Sequence, residues 1–168
     1  MFTFYKKHNN ELYNKLVQLS RNKFFYQELR LSDNFETRAL LIFFHLVIIF
    51  KTKKNEKNKK VLQNLFDNIF QNIEINIREL GYGDTKVNKT MKDLSKIFYD
   101  ILSNIDKEKI FSFNNDQVLL KEYFYNSKKI EDIQNVSKLG DYFEKFQNFC
   151  FDLDVNNMLN GSIEFKYR

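Results

Sequence analysis

The chain has 168 residues, four glycines, one cysteine, and no proline or tryptophan. That length supports a real core, the lack of proline favours long helices over strands and turns, and one cysteine excludes an internal disulfide and thiolate zinc sites. Net charge is +5, yet residues 51–60 hold six lysines and one glutamate, so the remainder is neutral and the basic character is local.

Leu12, Leu16 and Leu19 predict an amphipathic helix over 9–20, continuing or restarting through Phe24, Phe25 and Tyr26. Asp33 followed by Glu36 predicts a capping box opening the next helix, 34–51. That helix is apolar nearly all round from Leu40 to Phe50, which places it centrally. The apolar run from Ala39 to Phe50 has twelve residues and contains His45, whereas a membrane span needs about 20. Lys51, Lys53, Lys54, Lys57, Lys59 and Lys60 then form a basic loop or fraying helix start.

Val61, Leu65, Ile69, Ile73, Ile77 and Leu80 recur at helical spacing, as do Val87, Met91, Leu94, Phe98, Ile101 and Ile105. Between them lies Arg78-Glu79-Leu80-Gly81-Tyr82-Gly83-Asp84. Glycine stops a helix by taking the left-handed conformation without a Cβ penalty. Asp84 or Thr85 is expected to accept from the N–H groups that open the second run. Residues 61–105 therefore read as a long helical hairpin. Further helices are predicted over 115–127 and 129–152. The latter carries Ile133, Val136, Leu139, Phe143, Phe146 and Cys150, with Gly140 letting another helix come close. Met158 to Gly161 reads as a short helix with a glycine stop. Residues 162–168 alternate apolar and polar, as an extended tail laid on the bundle would. The prediction is one all-α domain over 1–168, a bundle of six to seven helices.

No catalytic constellation emerges. Neither histidine follows a glutamate at the spacing of a di-iron site. His45 in an apolar helix reads as a hydrogen-bonded core residue, with haem binding as the competing reading. Cys150 reads as a small buried hydrophobe. Gly81-Tyr82-Gly83 lacks the lysine and preceding strand of a phosphate loop. No enzyme activity, metal or cofactor is expected. The start of the chain is too polar for a signal peptide, so a bacterial cytoplasmic location is expected, with peripheral contact at the inner face of the inner membrane.

Three blocks carry a family resemblance. The first is Phe25-Tyr26, then Asp33-x-Phe35-Glu36-x-Arg38, leading to His45-Leu46. The second is Leu65-Phe66-Asp67-x-x-Phe70, ending in Arg78-Glu79-x-Gly81-x-Gly83-Asp84. The third is Val87, Lys89, Met91 and Phe98-Tyr99. Together they resemble the ubiquinol–cytochrome c chaperone family, assembly factors for the cytochrome bc1 complex. The match covers about 12–105 well; beyond it lie Tyr123, Tyr125, Asn126 and the terminal Leu159, Gly161 and Phe165. The resemblance implies an all-helical protein that binds newly made cytochrome b and helps its insertion, haem loading or delivery.

With nineteen Phe and nine Tyr, the chain carries more aromatic rings than a core of this size is expected to take. A surplus patch of Phe24, Phe25, Tyr26 and Tyr82 is expected to face outward as a client-docking surface. Arg78 and Asp84 are candidate client or partner contacts, the competing reading being that Arg78 and Glu79 make local ion pairs while Asp84 caps. The six lysines are candidate contacts for anionic membrane or ribosomal RNA, or simply a solvated linker. Sequence-specific nucleic-acid binding is not expected, because no arginine or aromatic lies among them. The competing function is a helical ribosome- or RNA-associated adaptor.

Overall fold

The second helix, α2 (Phe35–Lys53), has no polar face between Leu41 and Ile49, where every residue is buried. A helix apolar all round must be wrapped, and α1 (Glu11–Ser20), α4 (Asp84–Asp106) and α6 (Ile130–Asp152) wrap it. The remaining helices are α3 (Lys59–Glu79), α5 (Val118–Phe124) and α7 (Val155–Leu159). The structure, a computed structural model, describes residues 11–106, 111–125 and 130–167, with only the backbone of Ile130 and Glu131. Among these residues there are seven α-helices and no strand, which bears out the all-α reading. The predicted ends at 9–10, 127 and 129 lie outside the described residues.

Several local expectations are corrected. The stretch after α1 is a π-helical turn, Phe24–Glu28, in which Leu29 N–H donates to Phe24 O at 3.1 Å. Asn34, not Asp33, caps α2: its side chain accepts from Thr37 N–H at 2.9 Å. The Asp33 carboxylate is instead occupied by Arg38, 2.6 Å away. The basic segment is mostly helix end, because Lys51 and Lys53 finish α2 while Lys59 and Lys60 begin α3. Asn58 closes the short connection by donating to Lys53 O at 2.9 Å. Helix α5 starts at Val118 and not at 115, because Asn115 and Asp116 are held in a turn by the Ser112 hydroxyl and carbonyl.

Ring-on-ring packing fills the centre. Phe44 and Phe143 stack at 5.3 Å, Phe43 and Phe70 at 5.5 Å, and Phe43 meets Phe98 edge-on at 5.6 Å. On α6, Val136, Leu139, Tyr142, Phe143, Phe146 and Cys150 are buried. Ile133 is 59% exposed and lines a shallow hollow with the still more exposed Val118, so it does not belong to the buried stripe. After α7 the chain runs without regular structure over 162–167. It buries Ile163 and lays Phe165 and Tyr167 against Tyr142 at 5.5 and 5.2 Å.

Gly140 lies against backbone, not against another helix. A Cβ there would sit 2.7 Å from Phe113 O. In an exposed helix Gly→Ala gains about 1 kcal/mol. Here overpacking against a carbonyl that cannot swing away costs about 1–3 kcal/mol, and more where it displaces the loop. Gly140→Ala is therefore expected to lower the urea midpoint of unfolding. An increase would show that the 111–117 loop yields freely.

Candidate binding surfaces

The α3–α4 hairpin is the scaffold for both candidate surfaces. Its 21-residue first arm spans about 30 Å at ~1.5 Å per residue. This distance separates the glycine turn from the lysine end.

At the turn, Gly81 takes φ +88° and donates to Arg78 O at 2.9 Å, so it supplies the left-handed stop. Gly83 O accepts from Val87 N–H at 3.0 Å, which makes Gly83 the residue that opens α4. Asp84 is already helical, and its carboxylate reaches back to Arg78 at 2.5 Å instead of capping. Arg78 also holds Glu74 at 2.9 Å. The two carboxylates keep the guanidinium firmly charged, with the hydrogen bond to Asp84 the larger influence. Leu80 ends the helically spaced apolar run but is 58% exposed, because the helix stops beyond the edge of the core. Tyr82 is 39% exposed, and Lys86 Nζ sits 3.8 Å above its ring.

Leu80 forms one wall of a cleft of about 310 Å3, with Tyr13, Phe35, Arg38, Ile73 and Asn76 among the others. The Tyr13 hydroxyl and the Asn76 amide are hydrogen-bonded across it. Tyr26 is half-buried and donates to Ser20 O at 2.6 Å. Phe24 and Phe25 do not face outward: they are 6% and 0% exposed. Tyr142 and Tyr167 cover Phe24, while Tyr142 and His45 cover Phe25. The expected four-ring surface thus reduces to Tyr82 and part of Tyr26, joined by Leu80.

At the other end lies a groove of about 630 Å3 between the close of α2, the start of α3 and the close of α4. Its floor is Phe50, Leu62, Phe66, Phe98 and Leu102, with Tyr99 standing 54% exposed at the edge. The Phe66 ring is tilted against Phe98 at 5.1 Å and against Tyr99 at 5.6 Å. Its rim carries Lys51, Lys54 and Lys59 together with Glu56 and Asp106. The six lysines are not equivalent. Lys51 donates to Ile105 O, Lys53 is buried, and Lys54 pairs with Asp106 at 2.8 Å. Lys57, Lys59 and Lys60 are exposed and have no ion-pair partner among the described residues. Phe66 and Tyr99 were not singled out as site residues. The visible signal was an aromatic stripe on each arm running up to the lysines.

His45 is fully buried, with both ring nitrogens engaged. Nδ1 donates to Leu41 O at 2.6 Å, so Nε2 accepts from the Tyr142 hydroxyl at 2.8 Å. Burial pulls its pKa down to about 4, against the contrary influence of the Leu41 carbonyl. The haem reading required a ring nitrogen open to a ligand, and here neither is. Cys150 is buried, and burial pushes its thiol up to about 12, so no thiolate is ready to act as a nucleophile.

The family described as Ubiquinol-cytochrome C chaperone matches residues 27–165. The chain belongs to that family. The matched span runs from within the π-helical turn to Phe165 in the tail, and so reaches well beyond residue 105, where the sequence blocks thin out. Of the seven helices among the described residues, α1 alone lies outside the match. The crystal structure of the Cbp3 homolog from Brucella abortus has a similar fold. The TM-score is 0.70 at 22% identity, covering 93% of this chain and 87% of that one. No curated protein matches the chain. Among the described residues, no helix is long and apolar enough to cross a membrane.

Proposed function

We propose that the chain is a non-enzymatic assembly chaperone that holds newly made cytochrome b during biogenesis of the cytochrome bc1 complex. Family membership across residues 27–165 carries this reading. The turn end supports it. Leu80 and Tyr82 present apolar surface beside a cleft whose walls mix apolar, amide and guanidinium groups. An amphipathic client segment would lay its apolar face on Leu80 and Tyr82 and find polar partners in the cleft and at Tyr26, Arg78 and Asp84. The lysine end would face an anionic surface, placing the protein peripherally at the inner face of a bacterial inner membrane. No cofactor enters this reading.

The test is recovery of partners on the affinity-tagged full chain from cells that make bc1 complex. Cytochrome b is expected in the bound fraction. The double substitution Leu80→Ser and Tyr82→Ser should deplete it at an unchanged melting midpoint, since both side chains are exposed. Asp84→Asn removes one partner of Arg78 and separates a client contact from a purely local ion pair by the same two readouts. The exposed Lys57, Lys59 and Lys60 favour one other reading, a ribosome- or RNA-associated adaptor. Recovery of ribosomal RNA without any bc1 subunit would establish it and overturn the chaperone reading.

A further inference from the structure

The charge of this protein and the groove floored by Phe50 and Phe66 occupy the same corner. Residues 51–60 carry six Lys and one Glu, a formal +5 that equals the net charge of the whole chain. Internal bonds satisfy part of that charge: Lys51 on the α4 carbonyl end, Lys54 on Asp106, and Lys53 folded inward. Lys57, Lys59 and Lys60 are left outward. Two of these open α3, whose first turn contains no acidic residue, so the helix dipole adds to the positive field instead of offsetting it. Lys59 also lines the groove, one turn from Leu62 and two from Phe66 on the same arm. A ligand that satisfies both features has an anionic head and a long apolar tail, joined end to end.

We propose that this groove takes an acyl chain of an anionic phospholipid, with Lys57, Lys59 and Lys60 on the phosphate. The chain lies over Phe50 and Phe66, with Tyr99 and Leu102 closing its outer side. The inference deepens the reading that the lysine end meets an anionic surface and commits that surface to lipid. It is independent of how the client is held at the far end of the hairpin. Lysines over a flat membrane give salt-sensitive adsorption, with each residue worth roughly tenfold or less in partition. The groove adds a contact that salt does not screen. Bound in this way, the protein has a fixed face toward the bilayer, and its glycine turn stands about 30 Å off it.

The experiment uses the full chain and vesicles of phosphatidylcholine with or without phosphatidylglycerol, together with a soluble short-chain phosphatidylglycerol below its micelle concentration. Binding to the mixed vesicles and saturable binding of the monomeric lipid are expected. Replacing Lys57, Lys59 and Lys60 together by Gln should weaken vesicle partition by roughly a hundredfold or more. Tyr99→Asp, at a side chain already more than half exposed, should abolish monomer binding and weaken partition while the far-UV spectrum and melting midpoint hold. Vesicle binding that follows the lysines and ignores Tyr99, with no monomer binding, would overturn the groove in favour of simple adsorption. Saturable binding of an acidic amphipathic peptide that lipid does not compete away would overturn it in favour of a protein occupant. Recovery of cytochrome b from cells is scored separately, so failure here leaves the chaperone reading to its own test.

Discussion

Phe25→Ala is expected to lower folding stability by about 3–5 kcal/mol, the usual cost of emptying a fully buried phenylalanine site. Phe25 is 0% exposed. Its ring lies 4.8 Å from Tyr142 and 6.3 Å from His45, both edge-on, and 5.6 Å from Phe24. The side chain hangs from a π-helical turn that leads into Arg30, a non-glycine residue at φ 54°, so local backbone has little room to close the void. A domain of this size has about 5–15 kcal/mol in total, and the variant should be partly unfolded at moderate temperature. Urea titration with the m-value checked reads the loss directly. Tyr26→Phe next door removes the hydroxyl that donates to Ser20 O and also meets Arg38, and should cost about 1 kcal/mol. If Phe25→Ala left the midpoint in place and reduced client recovery alone, the ring would be a docking residue and its buried position would be wrong.

The second large effect is a loss of stability in mild acid centred on His45. Above its ordinary value of 6.5 the imidazole is neutral whether the chain is folded or not. As the pH falls below 6.5 the unfolded chain takes up a proton, but the native ring does not until about 4, because burial resists the charge. Over that window stability falls by about 1.4 kcal/mol per pH unit and by about 3 kcal/mol in all. The ring is faced by Phe25, Tyr142, Phe143 and Phe146, so no carboxylate offsets the positive charge. Protonation would also set a second donor, Nε2–H, against the Tyr142 hydroxyl, which would then have to turn its own proton elsewhere. Urea midpoints of wild type and His45→Gln between pH 7 and 4 make the comparison. The variant starts lower but should lack the extra slope, and equal slopes would show that His45 does not resist protonation in the fold.

Much of the helix layout could be read in the sequence because it is written in local periodicity. The unbroken apolar run of α2 marks a wrapped helix wherever it occurs, and Gly81 marks a stop that only a left-handed residue makes cheaply. What could not be read depends on residues far apart. Asn34 and Asp33 are near-equal caps by propensity; Arg38, reaching back to Asp33, decides between them. The aromatic count suggested a surplus, but Tyr142 and Tyr167, more than a hundred positions downstream, lie over Phe24, and no local pattern announces that cover. The groove escaped for a related reason. Each arm of the hairpin shows its own stripe, whereas the space left between Phe66 and Tyr99 belongs to the pair of helices together.

One contact orders the events by which this chain reaches its final form. Gly161, at φ +71°, lies so close to the first described helix that a Cβ there would sit 2.7 Å from Glu11 O. These two residues are 150 positions apart. Vectorial synthesis makes one of them long before the other, so α1 must wait on a nascent chain with one side bare. The hairpin can form early, whereas α2 waits for its cover from α6 and the seam between α1 and the α7 region is sewn last. The amino-terminal helix therefore spends most of the chain's synthesis without its final neighbour.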